Sequence, residues 1–329
     1  MRTRRAYVDL NWNGAAVAGK MSGYQKDVTY TDPASGEADS IDVSIHDRGG
    51  KWIGPWFPET GDKLAATIKA MDWEREGDNR ILVCGSFLLD NFNFSGWPIA
   101  GTISGVSVPA DTSFRETERS KTWENVTVEE IGKEIAGRAG VALFYDVKGS
   151  PIQIKTIEQS EQTDCNFYMD LCNTYGLAMK VYSKKIVVFD REAYKAKGPA
   201  ATITQNMIQS WNWNRKLAGT YTGGEYTYTD PGTEEEIKVN VGEGPRILKV
   251  CGKADSKADA ERKIKAAVAN ANHGTSKMSV TIMGTADLVA SQCVAVVGLG
   301  KMSGKYYIDQ ITHHIGGGYT MDLDLSLVE

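Results

Sequence analysis

The pentapeptide Thr-Tyr-Thr-Asp-Pro occurs twice, at Thr29–Pro33 and Thr227–Pro231, and it constrains the fold more than any other feature of the chain. The first copy extends an alternating run from Val28, turns through Ala34–Ala38, and returns as Ser40-Ile41-Asp42-Val43-Ser44-Ile45. The second begins at Tyr226, turns through Gly232–Glu235, and returns as Glu236-Ile237-Lys238-Val239-Asn240-Val241. β-Branched and aromatic residues at every second position suit a pleated strand with one face on a core, and Asp-Pro followed by Gly supplies the turn. Two such hairpins far apart predict two related β domains with other material between them. The alternative is a chance likeness between two amphipathic hairpins.

With 329 residues the chain exceeds one ordinary core, so two or three domains are expected. Hydrophobic content of 41% and charged content of 24% are those of a soluble globular protein. A net charge of −5 argues against a nucleic-acid backbone binder and against a basic membrane-surface protein. The start, Met1-Arg2-Thr3-Arg4-Arg5, is basic, but Tyr7-Val8-Asp9-Leu10 follows it, so no signal peptide is expected. Val289–Leu299 is the most apolar stretch and is too short to span a bilayer. The five cysteines (Cys84, Cys165, Cys172, Cys251, Cys293) are odd in number and lack framework spacing. They read as buried hydrophobes in a reducing compartment, which implies synthesis in a cytoplasm.

Residues 1–118 read as strands and turns. Ile81–Asp90 is a strand pair or one bent strand, with Gly85 allowing the bend, and Ile99–Val108 is another strand thinned by Gly101 and Gly105. Lys63–Met71 is the one segment there that could form a short helix. Residues 119–200 change character. Thr127 and Glu130 form a capping box ahead of a helix with Val128, Ile131 and Ile135 on one face and Gly140 as its stop. Val141–Tyr145 and Ile152–Lys155 then read as a strand pair. The grammar repeats with Thr163 or Asp164 as cap, Phe167, Leu171, Cys172 and Tyr175 as face, Gly176 as stop, and strands Leu177–Tyr182 and Lys185–Phe189 about a turn at Ser183-Lys184. Residues 201–329 return to β structure, interrupted by a helix over about 256–273 with Ala260, Ile264, Ala267, Val268 and Ala271 on one face. The final run Tyr319–Leu327 alternates strictly, which puts Asp322, Asp324 and Ser326 on a wet face.

No catalytic, cofactor or metal site is expected. His46 and His273 stand alone beside a turn and a helix end, and the adjacent His313 and His314 must point to opposite faces of a strand. Cys165 and Cys172 lack zinc spacing. Gly298–Lys305 resembles a phosphate loop, but its glycines are one residue too far apart and Tyr306 stands where Ser or Thr would hold magnesium, so a hairpin loop is expected. Glu116-Thr117-Glu118 and Glu234-Glu235-Glu236 read as solvated faces or loop tips. Trp52, Trp56, Trp97, Trp211 and Trp213 could line a sugar-binding face, but Trp211-Asn212-Trp213-Asn214 alternates as a strand, and core or interface packing is the preferred reading.

Three stretches carry a family likeness: Gly85–Asp90 with Gly96-Trp97-Pro98-Ile99; Phe114–Thr127 leading into the helix at Val128–Arg138; and Glu161–Cys172 closed by Tyr175-Gly176-Leu177 and Val188-Phe189-Asp190. In their order and spacing the chain resembles the hub proteins of contractile phage tails and related bacteriocins, the late-control protein D group. That resemblance implies a mainly β protein with an α+β insertion: a tube-type antiparallel β-barrel domain at 1–118, two helix–hairpin units at 119–200, and a second tube-type barrel at 201–329. It implies a homotrimeric ring that presents six similar barrels to a six-fold tail tube and three-fold symmetry to a central spike, around an open lumen. Implied partners are further copies of the chain, a separate spike protein, tube or tube-initiator proteins and a tape measure protein, with no specific nucleic acid and no stable membrane insertion. Unlike fused spike forms, the sequence ends at Glu329 in the alternating strand, so a spike on another polypeptide is expected. The implied location is the tail baseplate of a virion or tail-like particle, assembled in a bacterial cytoplasm. Two alternatives stand beside this non-enzymatic reading: a carbohydrate- or receptor-binding β module, and a cell-wall hydrolase.

Overall fold

The computed structural model describes residues 3–16, 21, 23–107, 113–230 and 232–328. The expectations that fall on Met1, Arg2, Val108, Pro231 and Glu329 lie outside these residues. The amino-terminal region contributes β1 (Arg5–Trp12), β2 (Ala15–Ala16), β3 (Gln25–Pro33), β4 (Ser40–His46), β5 (Lys63–Met71), β6 (Arg80–Ser95) and β7 (Ala100–Val106). The middle region contributes α1 (Ser113–Glu116), β8 (Glu118–Thr127), α2 (Val128–Arg138), β9 (Ala142–Asp146), β10 (Gln153–Thr163), α3 (Asp164–Thr174), β11 (Leu177–Tyr182), β12 (Lys185–Asp190) and α4 (Arg191–Ala196). The rest comprises β13 (Ala201–Thr204), β14 (Ile208–Arg215), β15 (Gly223–Thr229), β16 (Glu236–Gly242), β17 (Ile247–Cys251), α5 (Lys257–Asn272), β18 (Ser276–Met283), β19 (Cys293–Val297), β20 (Gly304–Ile315) and β21 (Tyr319–Leu327). The fold is mainly β with few helices, as the sequence predicts.

The segment Lys63–Met71 is a strand, not a helix. Leu64, Ala66, Ile68 and Ala70 are each at most 1% exposed, a strict period of two, and β5 pairs with β1 on one side and β6 on the other. Helix propensity is worth only tenths of a kcal/mol per residue, so a buried face and two ladders override it. β6 is one long bent strand. Opposite Ala66 and Thr67 it carries an extra residue, Cys84, and Gly85 takes φ +100° at this bulge. Gly105 on β7 is required for close approach: a Cβ there would come within 2.9 Å of Leu89 Cδ2.

Both predicted helix starts form. Thr127 Oγ1 accepts from the Glu130 amide at 3.1 Å while Glu130 Oε2 accepts from the Thr127 amide at 2.8 Å, and Thr163 caps α3 through the Asn166 amide. Val128, Ile131 and Ile135 are fully buried against Phe167, Leu171 and Cys172 of α3. β11 and β12 form the predicted hairpin, with Ser183 and Lys184 at φ 43° and 62°, the twist a two-residue turn needs. The first helix–hairpin unit is different. β9 pairs in parallel with β12, and β10 pairs with β8. β8 and β10 are 10 and 11 residues long and β9 only 5, so the β8–β10 ladder satisfies more backbone groups than a β9–β10 hairpin would.

The two pentapeptides both build hairpins but occupy different places. β3 and β4 lie in a 13-stranded sheet ordered β14-β18-β21-β20-β3-β4-β7-β6-β5-β1-β2, with β13 and β19 branching from β20. β15 and β16 instead join β17 in a separate three-stranded sheet, covered by Ile264 and Val268 of α5. The final strand β21 alternates as expected except at Ser326, which is 1% exposed and donates to Asp309 Oδ2 at the bulge of β20.

Candidate functional site at the seam between the two β regions

β20 is the strand on which the amino- and carboxy-terminal regions meet. Its first part, Gly304–Tyr307, pairs with β19, and its second, Gln310–Ile315, pairs with β3. The cores interlock accordingly. Ile315 and Tyr319 complete the amino-terminal core, and Ala34 completes the carboxy-terminal one. The first pentapeptide is therefore the seam strand: Tyr30 faces His313, Asp32 faces Ile311, and Pro33, which cannot donate, closes the ladder opposite Gln310.

His313 and His314 point to opposite faces, as their adjacency requires. The His313 imidazole is fully buried and stacks on the Tyr30 ring, with centroids 5.7 Å and planes 15° apart. The Tyr319 hydroxyl donates to Thr285 O at 2.9 Å, so it must accept from His313 Nδ1 at 2.9 Å. That assigns the proton of the neutral ring to Nδ1. Nε2 is buried with no partner, and burial pushes His313 down to about 4, against the opposing pull of Asp32. His314 instead reaches Asp322 Oδ2 at 3.0 Å on the half-exposed face.

Beside the stack lies a buried ion cluster. Lys180, on β11 of the middle region, donates to Asp32 Oδ1 at 2.5 Å and to Pro33 O at 3.0 Å, and stands 3.0 Å from Asp39 Oδ1. Asp32 Oδ2 accepts from the Ala290 amide at 2.9 Å, and the Tyr30 hydroxyl donates to Asp39 Oδ2 at 2.7 Å. Asp32 and Asp39 are 5% and 0% exposed. One carboxylate thus receives hydrogen bonds from the middle and carboxy-terminal regions while sitting on an amino-terminal strand. Burial raises Asp39 to about 6, since Lys180 only partly offsets it and Asp32 adds to it. For Lys180, burial acts downward but both carboxylates outweigh it, so the ammonium is held above its ordinary range. Burial, with Asp32 and Asp39 alongside, holds the Tyr30 hydroxyl protonated. The cavity beside Lys180 is only about 30 Å³, room for about one water. The cluster binds regions together and leaves no space for a substrate.

The second pentapeptide uses the same residues differently. Asp230 Oδ1 accepts from the Gly232 and Thr233 amides, a local turn bond, while Tyr228 packs into the small core under α5. The opposite side of α5 meets the middle region, where Ala266 lies against Gly176 and Asn270 Nδ2 donates to Asn173 O at 3.0 Å.

The remaining sequence candidates disperse. His273 Nε2 pairs with Asp309 Oδ1 at 2.9 Å, and His46 is half-buried with its ring near that of Tyr24. Gly298–Lys305 turns between antiparallel β19 and β20, the predicted hairpin loop. Among the described residues, no three His, Cys, Asp or Glu side chains are grouped to hold a metal ion. The five tryptophans do not share one face. Trp52 is buried and Trp56 half-buried beside Trp12, while Trp97, 86% exposed, lies at the β6–β7 turn. β14 is a strand as expected, but only Trp213 is covered, and Trp211 is 48% exposed. The reason is position: among the described residues β14 ends the sheet and pairs with β18 alone, so its outer backbone edge has no strand beside it. At the other end β1 pairs with β5 and only briefly with β2.

A YQBQ-like family model matches residues 247–326. The chain is 24% identical to the probable baseplate hub protein of Escherichia phage 186, over 97% of this chain and 92% of that protein. It is 28% identical to the probable baseplate hub protein of Escherichia phage P2, over 63% of this chain and 52% of that protein. Its fold matches a tail protein from Neisseria meningitidis MC58 with a TM-score of 0.73 at 14% identity, covering 98% of this chain and 96% of that one.

Proposed function

We propose that this chain, a homologue of the phage baseplate hub proteins, is a structural baseplate hub of a contractile tail. The end-to-end likeness to the hub protein of phage 186 carries this reading. The physical design agrees with it. The chain's charged buried groups lock regions together at the seam. In this reading β1–β7 form one tube-type β unit. β13, β14 and β18–β21 form the second, with the β15–β17 sheet and α5 as an insertion into it. Three copies close into a ring that joins a six-fold tube to a three-fold spike around a lumen, and the spike, tube and tape measure proteins are its neighbours. Among the described residues β14 pairs on one side only, and this edge favours assembly, because an exposed edge invites strand pairing unless a partner covers it.

Electron microscopy of the purified chain, alone and co-expressed with a candidate spike protein, tests the reading. A ring of three subunits with six similar lobes is expected. A single-copy particle in both samples would overturn the ring.

A further inference from the structure

The loop between β4 and β5 folds over the β1 end to make a cleft of about 300 Å³ whose walls are Trp12, Trp52 and Trp56, with Phe57 at its mouth and Asp62 beside it. We propose that this cleft binds an extended segment of a partner polypeptide, seating a lysine or arginine side chain against the Trp12 indole beside Asp62.

Three observations point to that occupant. The walls form a box, not a platform: Trp12 and Trp52 lie 5.9 Å apart at 48°, and Trp52 and Trp56 lie 5.8 Å apart at 83°. A flat sugar ring needs one broad exposed face, whereas a cationic side chain on an aliphatic stem suits tilted aromatic walls. Asp62 supplies the counter-charge, and its carboxylate is held in place by Trp12 Nε1 at 2.9 Å, Asn13 Nδ2 at 2.7 Å and the Glu59 amide at 3.2 Å. Lastly, Trp52 is 3% exposed, yet its Nε1 donor has no partner. A buried donor left open costs free energy, and the backbone carbonyl of an extended peptide would satisfy it.

The rim agrees. Ile53 and Phe57 are 48% and 56% exposed, and Phe57 packs on Phe94 at 5.8 Å, on the strand leading to the exposed Trp97. Lys51 already rests on the Trp56 ring at 4.7 Å and Trp52 is buried, so the half-buried Trp12 presents the face left for a second cation. The proposal does not depend on the hub reading, because binding is measured on the isolated chain whether or not it forms a ring.

The test is a titration of the full chain, followed by tryptophan fluorescence and by the indole N–H signals in NMR. The probes are N-acetyl-lysine methylamide, its arginine counterpart, the uncharged norleucine analogue and N-acetylglucosamine. Saturable binding of the two cationic amides, at least about tenfold tighter than norleucine, is expected, with the Trp52 indole signal shifting. Trp52→Phe removes the donor together with the pyrrole half of the indole, and should weaken binding about fivefold; circular dichroism of the variant shows whether the chain stays folded, and Asp62→Asn carries the test where it does not. Asp62→Asn should abolish the preference for the cationic probes. Equal binding of norleucine, saturation by the sugar alone, or no saturation by any probe would each overturn the proposal.

Discussion

The Tyr30 ring lies parallel to the His313 imidazole across the β3–β20 ladder, and the two residues are direct register partners. One member comes from the amino-terminal region and the other from the last strands of the chain. Each ring also anchors a different polar path, Tyr30 to Asp39 and His313 to Tyr319. The seam is therefore a packed aromatic pair with a hydrogen bond leaving each side of it.

Loss of the Tyr30 hydroxyl should be costly although it removes a single atom. Tyr30→Phe leaves Asp39 Oδ2 without its donor in a fully buried site. The expected destabilisation is about 1–3 kcal/mol. Urea unfolding monitored by tryptophan emission reads it, and an unchanged midpoint would show that the hydroxyl contributes nothing.

Lys180→Met should destabilise the chain by about 3–5 kcal/mol, because it strands two buried carboxylates. Adding Asp32→Asn and Asp39→Asn to Lys180→Met should recover part of that loss, since neutral amides cost less to bury than unpaired charges. Thermal unfolding of the single and triple variants separates these outcomes. A single variant within about 0.5 kcal/mol of the parent would contradict the role given to the cluster.

Asp39 and His313 should oppose each other in pH dependence. Asp39 keeps its proton to about 6 in the fold against an ordinary 3.8, so between those values the folded state binds more protons and stability falls as pH rises. His313 loses its proton down to about 4 against an ordinary 6.5, so there the unfolded state binds more protons and stability rises with pH. Over roughly pH 4–6 the two contributions largely cancel. Asp39→Asn should uncover the His313 slope, with stability lost as pH falls from 6.5 towards 4. His313→Gln should uncover the Asp39 slope, with stability gained over the same fall. Each excursion is on the order of 2 kcal/mol. Urea midpoints across pH 4–7 check this, and parallel profiles for both variants would refute it.

Trp211→Glu should leave the fold intact and impair self-association. Trp211 is half exposed on the terminal strand β14, so its change should alter stability by no more than about 0.5 kcal/mol. A charge on a sheet edge opposes strand addition. Sedimentation of the variant beside the parent decides the point, and an unaltered assembly state would remove β14 from the interface.

Much of the local structure is legible in the residues themselves. The Thr127–Glu130 box, the Ser183-Lys184 turn, the bend at Gly85 and the opposed faces of His313 and His314 all rest on interactions within a few positions. Misreadings occur where a segment's partner is remote. Lys63–Met71 has helix-favouring residues but lies between two strands, Ala142–Asp146 finds its partner at Lys185–Asp190, and Ser326 is buried by Asp309. The aromatic cleft escapes a sequence reading because Trp12 is forty residues from Trp52, and no motif links them.

The twin pentapeptides mark the division most plainly. By itself the sequence determined that Thr29–Pro33 and Thr227–Thr229 are strands entering hairpins, because alternation and turn chemistry act over neighbouring residues. Only the tertiary structure decided that Asp32 binds Lys180 and Ala290 while Asp230 closes its own turn. A carboxylate's partner depends on what the rest of the chain brings within about 3 Å, and that proximity is set by strand pairing over hundreds of residues, not by the pentapeptide.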